Sequence, residues 1–312
     1  MSAKRLDNLR SIDPVLTTLV QLHKNDLFLS KELFHTVKVK KSKGNIPIFG
    51  KDAFVARSTD RAIRADSNRI PATDFILTPY ETQEQDLEMA IDYLESSQSN
   101  SYSKYEQIIT KQLWDSLSLN REIEICNYLQ NPDNFNLNNL TQISDSDSIN
   151  NPTSTINIIE LINSTKESIR LKTGRIPNTV ILNNSVLEAI INSETITELI
   201  YNHKLIKPNL NMIKDYLQIE NIIVSTAVYS QDNINLRNIW ENNILMTYRS
   251  VGNEKENKYN PQLGYIFQLE NMPEVDTYYE NGGKIKIIRC TDNFCWKVTM
   301  PEAAHLITNV VS

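Results

Sequence analysis

The residues from Ser103 to Gln130 constrain the fold more than any other stretch of this chain. Tyr105, Ile109, Leu113 and Leu117 recur at four-residue spacing, and Ile123 and Cys126 continue the apolar stripe, which is the pattern of one helix laid against a core. Ser101 or Ser103 can cap its start, and Glu106 is placed to close a capping box with Ser103. Asn131-Pro132 ends it, because proline cannot continue the hydrogen-bond ladder and disfavours helical backbone in the residue before it. At about 1.5 Å per residue the helix is a rod of roughly 40 Å. Trp114 on it reads as a packing residue rather than a ligand platform.

Around this rod the chain divides into regions of different pattern. Residues 1–35 have weak periodicity, with Leu16, Leu19, Val20, Leu22, Leu27, Leu29 and Phe34 as scattered anchors, and read as an arm that borrows its core from elsewhere. From Thr36 to Tyr80 comes alternation at Val37-Lys38-Val39-Lys40, a turn at Ser42-Lys43-Gly44-Asn45, and a second apolar run at Ile46-Pro47-Ile48-Phe49. Alternation bounded by Gly, Asn and Pro predicts an extended hairpin wet on both faces. Such a hairpin is only marginally stable by itself, so it should lie on something else. Asn134–Ser154 is rich in Asn, Ser and Asp and reads as a flexible connection. Asp145, Asp147 and Asn150 lack the glycine and closing glutamate of a calcium loop.

From Ile156 helix and strand alternate. Ile158, Leu161, Ile162 and Ile169 form a helix face ending at Gly174, and Thr179–Leu182 is a short buried strand. A helix restarts after Asn183-Asn184-Ser185, a further short helix covers Met212–Leu217, and Ile222–Val224, Ile244–Tyr248 and Tyr265–Leu269 add strands to one α/β layer. After Met272-Pro273 the pattern becomes antiparallel β. Val275–Tyr279 and Lys284–Arg289 flank a hairpin turn at Glu280-Asn281-Gly282-Gly283, and a second turn is expected at Thr291-Asp292-Asn293. Pro301 precedes a last apolar run, Ala303–Val310.

Composition excludes several function classes. The chain has 312 residues, 40% of them hydrophobic, which suffices for one large core or two smaller ones. No run approaches the roughly 20 apolar residues of a membrane-spanning helix, and residues 1–7 lack the apolar stretch of a signal peptide, so the expectation is a soluble protein made in a cytoplasm, with no membrane partner. Cys126, Cys290 and Cys295 are too few and too irregular for a disulfide framework or a zinc site and read as free thiols. A hairpin disulfide between Cys290 and Cys295 is the minor alternative. The four histidines, His23, His35, His203 and His305, fall in different regions without metal-ligand spacing, and no nucleophile elbow or phosphate-binding glycine loop is present. No catalytic residue, cofactor site or metal site is assigned, and the chain is not expected to be an enzyme.

The distribution of charge says more than the net charge of −6. From Lys31 to Arg69 ten basic residues, including Lys38, Lys40, Lys51, Arg57, Arg61, Arg64 and Arg69, stand against four acids. From Asp74 to Glu95 there are seven acids, Glu81, Glu84, Asp86, Glu88 and Asp92 among them, and no base. One reading is two solvated surfaces of opposite sign. The other is a basic loop of one subunit lying over the acidic surface of another, because complementary potentials fix register more than they add affinity.

One resemblance runs through nearly the whole chain. The strings Arg170-Leu171-Lys172-Thr173-Gly174-Arg175-Ile176-Pro177-Asn178-Thr179 and Gly264-Tyr265-Ile266-Phe267 resemble tailed-phage major capsid proteins of the Hong Kong 97-type fold. So does the closing stretch Met300–Asn309, and the order of arm, extended loop, long helix, α/β domain and β-hairpins is similar as well. The resemblance implies an α+β protein with an N-terminal arm at 1–35, an extended loop at 36–80 and a peripheral domain at 81–155 carrying the spine helix. It implies an axial domain at 156–270 with a turn at Gly174, Pro177 and Asn178, peripheral hairpins at 271–300, and a closing strand at 301–312 that returns to the axial domain.

It also implies self-assembly as pentamers and hexamers into an icosahedral shell around double-stranded DNA held without sequence specificity. Portal, scaffold or decoration proteins would be further partners, any scaffold being separate from this chain. The place of action would be a virion capsid assembled in host cytoplasm. A compartment of the encapsulin type, which shares the fold but encloses protein, and an unrelated α/β enzyme are the alternatives.

Overall fold

The computed structural model describes residues 11–23, 25, 27–49, 55–56, 59–69, 75–98, 102–151, 154, 156–193, 196, 209–250 and 262–311. The long helix spans Tyr102–Gln130. Its four-residue stripe runs on where the apolar residues stop: Ile109, Leu113 and Leu117 are buried, and so are Arg121, Ile125 and Leu129. The capping box does not form, because the helix already begins at Tyr102, which puts Ser103 inside it, and Glu106 pairs with Lys286 on a neighbouring strand.

Two sheets share the helix. The larger one is organised on the 14-residue strand β14 (Ile285–Val298). Its residues 285–291 pair with β13 (Glu274–Glu280), residues 294–298 with β12 (Gly264–Leu269), and residues 285–294 with β5 (Gln83–Asp92). Strand β1 (Ser11–Ile12) extends the β13 edge, and β2 (His35–Val39) runs parallel to β12. Side chains alternate across a strand, so β14 presents Ile288, Cys290, Asp292 and Phe294 to the long helix and its arm and the intervening residues to the opposite side. Thr291-Asp292-Asn293 is therefore the middle of a strand rather than a second turn. Cys290 and Cys295 differ by an odd number of positions, point to opposite faces, and are free thiols.

The smaller sheet has the order β6 (Leu140–Gln142), β15 (Ala304–Thr308), β11 (Ile244–Thr247), β7 (Thr179–Asn183), β8 (Asn221–Ser225). Helices Ile158–Thr173, Asn184–Asn192 and Leu210–Leu217 cover one face through Ile162, Ile169, Val186, Ile190 and Ile213. Ile181, Leu245 and Leu306 on the other face meet Ile125 and Leu129 at the end of the long helix, making three layers. Two sequence expectations change here, and the place of the closing strand becomes specific. Tyr265–Leu269 belongs to the larger sheet rather than the α/β layer; the Asn134–Ser154 connection contributes strand β6 and two short helical turns instead of a loop alone; and the closing residues enter the middle of the smaller sheet, between β6 and β11. Gly264 is required in β12, since a Cβ there would lie 2.5 Å from the Lys297 carbonyl oxygen and 2.4 Å from the Phe34 ring.

The extended hairpin is built from different strands than the alternation suggests. Val37 and Val39 are buried in β2, inside the larger sheet, so this segment is not wet on both faces. The hairpin pairs β3 (Lys43–Phe49) with β4 (Phe75–Glu81), from Lys43 opposite Glu81 to Phe49 opposite Phe75. Its base is fastened by Ile46 and by Tyr80, whose ring stacks on Phe267 at 5.0 Å. The arm, too, has more structure than its pattern predicts. Asp13 caps the helix Pro14–Leu22, Leu16 and Val20 pack against the long helix, and Leu29, Leu33 and Phe34 enter the core below the smaller sheet. Leu22 and Leu27 stay exposed.

Candidate functional site

The hairpin β3–β4 carries the basic loop away from the body. Between its strands, Arg61, Arg64 and Arg69 are exposed, and Ile63 beside them is 94% exposed. The contacts here are local: Arg61 Nη1 donates to the Ala65 carbonyl at 3.1 Å, Asn68 Nδ2 donates to the Asp60 carbonyl at 3.2 Å, and Arg64 takes a left-handed backbone at φ 67. Among the described residues no carboxylate forms an ion pair with Arg61, Arg64 or Arg69. Lys51 and Arg57 lie outside the described residues. Lys40 is exposed beyond the end of β2, whereas Lys38 turns to the body and donates to Gln268 and the Met272 carbonyl, both at 2.6 Å.

The acidic stretch is strand β5. Leu87, Met89 and Ile91 face the long helix, and Glu84, Asp86 and Glu88 project from the opposite side into solvent. Glu88 accepts a hydrogen bond from the Tyr278 hydroxyl at 2.9 Å. Two more of the expected acids have local partners. Glu81 pairs with Lys43 across the hairpin base at 2.6 Å, and Asp92 accepts from the Leu94 backbone N–H at 2.9 Å where the helix Tyr93–Gln98 begins. The Lys43–Glu81 pair is exposed and contributes little to stability. Arg289 holds the fully buried Asp276 on the same side of the sheet through two hydrogen bonds of 3.1 and 2.8 Å.

The arm is fixed to the long helix by a group that sequence reading missed. Glu122 is fully buried and accepts the backbone N–H groups of Leu29 and Ser30, both at 2.8 Å, which caps the short helix Ser30–Leu33. Next to it, Arg121 donates to Asp292 at 3.4 Å, and Gln268 donates to the other oxygen of Asp292 at 2.6 Å. The Arg121 guanidinium also lies 5.7 Å from the Trp114 ring centroid and 5.1 Å from that of Phe294. Burial lowers the basicity of Arg121, and the nearby Asp292 and Glu122 oppose that shift. Of the spine-helix residues, Ile109, Leu113, Trp114 and Leu117 are buried with Val275 and Ile288, and Tyr105 packs at the edge of the same cluster.

In the smaller sheet, Gly174 takes a left-handed backbone at φ 66 and ends its helix, and Pro177 is buried. Asn178 joins β11 to β7: its amide donates to the Arg249 carbonyl at 2.8 Å and accepts from the Arg249 N–H at 2.9 Å. His305 is bonded to Thr141 at 2.8 Å, and burial pushes its pKa down to about 4. Burial likewise pushes the Cys290 thiol up to about 12. No group of three or more His, Cys, Asp or Glu able to hold a metal occurs among the described residues.

No family model matches the chain. Over 309 residues it is 33% identical to the major capsid protein of Burkholderia phage BcepMu, a match covering 98% of this chain and 99% of that protein. The chain belongs to the phage major capsid proteins. As a member of a structural family, this capsid protein is not an enzyme. A phage-related protein from Bordetella bronchiseptica RB50, solved by crystallography, superposes with a TM-score of 0.79 at 24% identity over 96% of this chain and 98% of its own. The putative capsid protein of an E. coli CFT073 prophage gives a TM-score of 0.55 at 8% identity over 96% and 99%. The capsid protein therefore has a mixed α+β capsid fold.

Proposed function

We propose that this capsid protein forms pentamers and hexamers that close into an icosahedral shell around double-stranded DNA, and that the basic loop of each copy lies over strand β5 of a neighbour. The observation that carries the joining step is the separation of charge. Arg61, Arg64 and Arg69 stand exposed on a projecting hairpin, while Glu84, Asp86 and Glu88 line an outward sheet face of the same chain. Contacts that repeat from copy to copy close into a shell when the rotation between subunits closes.

In this reading the larger sheet with the long helix is the peripheral body and the smaller sheet with its three helices is the axial body. The loop interlocks neighbours, and the arm stays on its own subunit at least as far as Phe34. The near full-length likeness to a phage capsid protein supports DNA as cargo over the protein cargo of an encapsulin-type compartment. The place of action is the virion, after assembly in host cytoplasm, and no helix among the described residues is long and apolar enough to cross a membrane.

Replacing Arg57, Arg61, Arg64 and Arg69 by Glu is expected to abolish shells in electron micrographs while leaving the circular dichroism of the subunit near that of the parent. Shells at unchanged yield would refute the interlocking loop. DNA protected from nuclease inside native particles is the expected sign of cargo, and particles filled with protein alone would favour the compartment.

A further inference from the structure

Strand β9 (Val228–Tyr229) pairs with β10 (Arg237–Asn238) in a short ribbon of its own. The base of the ribbon is tied to the body. Ile239 donates its backbone N–H to the Ala227 carbonyl at 3.0 Å, Gln130 at the end of the long helix donates to the Ile239 carbonyl at 2.9 Å, and both Ala227 and Ile239 are buried. The tip is exposed, yet Asp232 orders it. One carboxylate oxygen accepts from Ser230 Oγ at 3.1 Å and from the Ile234 and Asn235 N–H groups at 3.0 and 2.8 Å. The other accepts from the Asn235 amide at 2.8 Å. The tip held in this way presents two large aliphatic side chains to solvent, Ile234 at 82% and Leu236 at 72% exposure.

One exposed aliphatic residue is ordinary, but a pair on an ordered projection beside an apolar hollow marks an interaction surface. The hollow, of about 480 Å³, lies at the foot of the ribbon with Leu27, Phe28, Ile108, Leu119, Ala227 and Val228 on its walls. Leu27, Ile108 and Val228 there are exposed. None of residues 230–236 lines it, so the tip stands clear of the hollow on its own chain. Lys111 and Asp115 border the hollow, while Asp232 and Arg237 flank the tip. Each side therefore offers one charge of either sign, which fixes register where two surfaces meet.

We propose that Ile234 and Leu236 of one copy insert into the hollow of a second copy of this chain. A second copy is the fitting occupant because the knob and the hollow are carried side by side on every chain, and the family is one of capsid subunits. The contact rests on assembly of this chain into shells but not on the basic loop. The parent's own shells separate a failure of assembly from a failure of this contact.

Ile234→Asp combined with Leu236→Asp is expected to cut the yield of shells in electron micrographs at least tenfold. Circular dichroism should be unchanged, because both side chains lie outside the core. Ile108→Asp, on the wall of the hollow, should act in the same way. Proximity is read from a chain carrying Ile234→Cys and Ile108→Cys, substitutions mild enough to leave assembly intact. Its shells, treated with a short bismaleimide linker, should give covalent dimers or longer ladders on denaturing gels, while parent shells treated alike stay monomeric. Shells at parental yield from folded Ile234→Asp, Leu236→Asp protein would overturn the contact and leave the tip to a separate protein. Linker-treated cysteine shells that run only as monomers would overturn it too.

Discussion

Charges in this capsid protein occur in two contrasting settings, the projecting hairpin and the junction of arm and long helix. On the hairpin, Arg61, Arg64 and Arg69 are exposed, and among the described residues Arg61 bonds only within its own loop. At the junction, Arg121, Glu122 and Asp292 are buried and bound to groups from the arm, the helix and the large sheet. Exposed charges are screened and contribute little to one subunit's stability, whereas buried ones are costly to leave without partners. In the proposed assembly the first set meets another copy, and the second fixes the shape that each copy brings.

The largest effect on subunit stability should come from Arg121→Met. It leaves the buried Asp292 carboxylate without its cation, held by Gln268 and the Asn293 backbone N–H, and breaking a buried pair in this way costs about 3–5 kcal/mol. Urea unfolding should register the loss, and a change below about 1 kcal/mol would mean that the network contributes little. Glu122→Gln comes next. A neutral amide has one acceptor oxygen where the carboxylate offers two, so one of the Leu29 and Ser30 N–H groups loses its partner, at about 1–3 kcal/mol. Protease cleavage within residues 11–33 should become faster than in the parent, and unchanged cleavage would show that apolar packing alone holds the arm.

The third effect depends on pH. His305 has its folded pKa depressed to about 4, so the unfolded chain binds a proton first as the solution is acidified. Stability should fall as pH drops from about 6.5 towards 4, with a slope of up to about 1.4 kcal/mol per unit from this group. His305→Gln should remove that part of the slope, and an identical slope in the variant would contradict the assignment. The smallest effect on the subunit belongs to Arg61→Glu with Arg64→Glu and Arg69→Glu. Exposed substitutions of this kind stay within about 0.5 kcal/mol, so the melting curve should barely move while assembly is lost.

The contrast between the two settings also governs what sequence reading could reach. The basic loop and the acidic strand were legible because exposed charge follows composition alone. The long helix was legible from its period, and Gly174 from its place after the last apolar residue. The junction was hidden by its own chemistry: the spacing through Leu113 and Leu117 leads directly to Arg121, but charge at that position argues for solvent unless a partner is known. Asp292 lies 171 residues away, a separation that no local pattern bridges. The strand partners of β2 and β12 were missed for the same reason, since alternation at Val37 and Val39 predicts a strand without saying which sheet takes it in.

The most direct measurement of the joining role is a reversal of charge on both surfaces, scored as shells in electron micrographs. Arg61, Arg64 and Arg69 changed to Glu should leave folded subunits without shells, and so should Glu84, Asp86 and Glu88 changed to Lys. Combining the two sets in one chain should restore shells, because each loop again meets a strand of opposite sign. Shells from either half alone, or none from folded protein carrying both, would contradict the pairing of loop and strand.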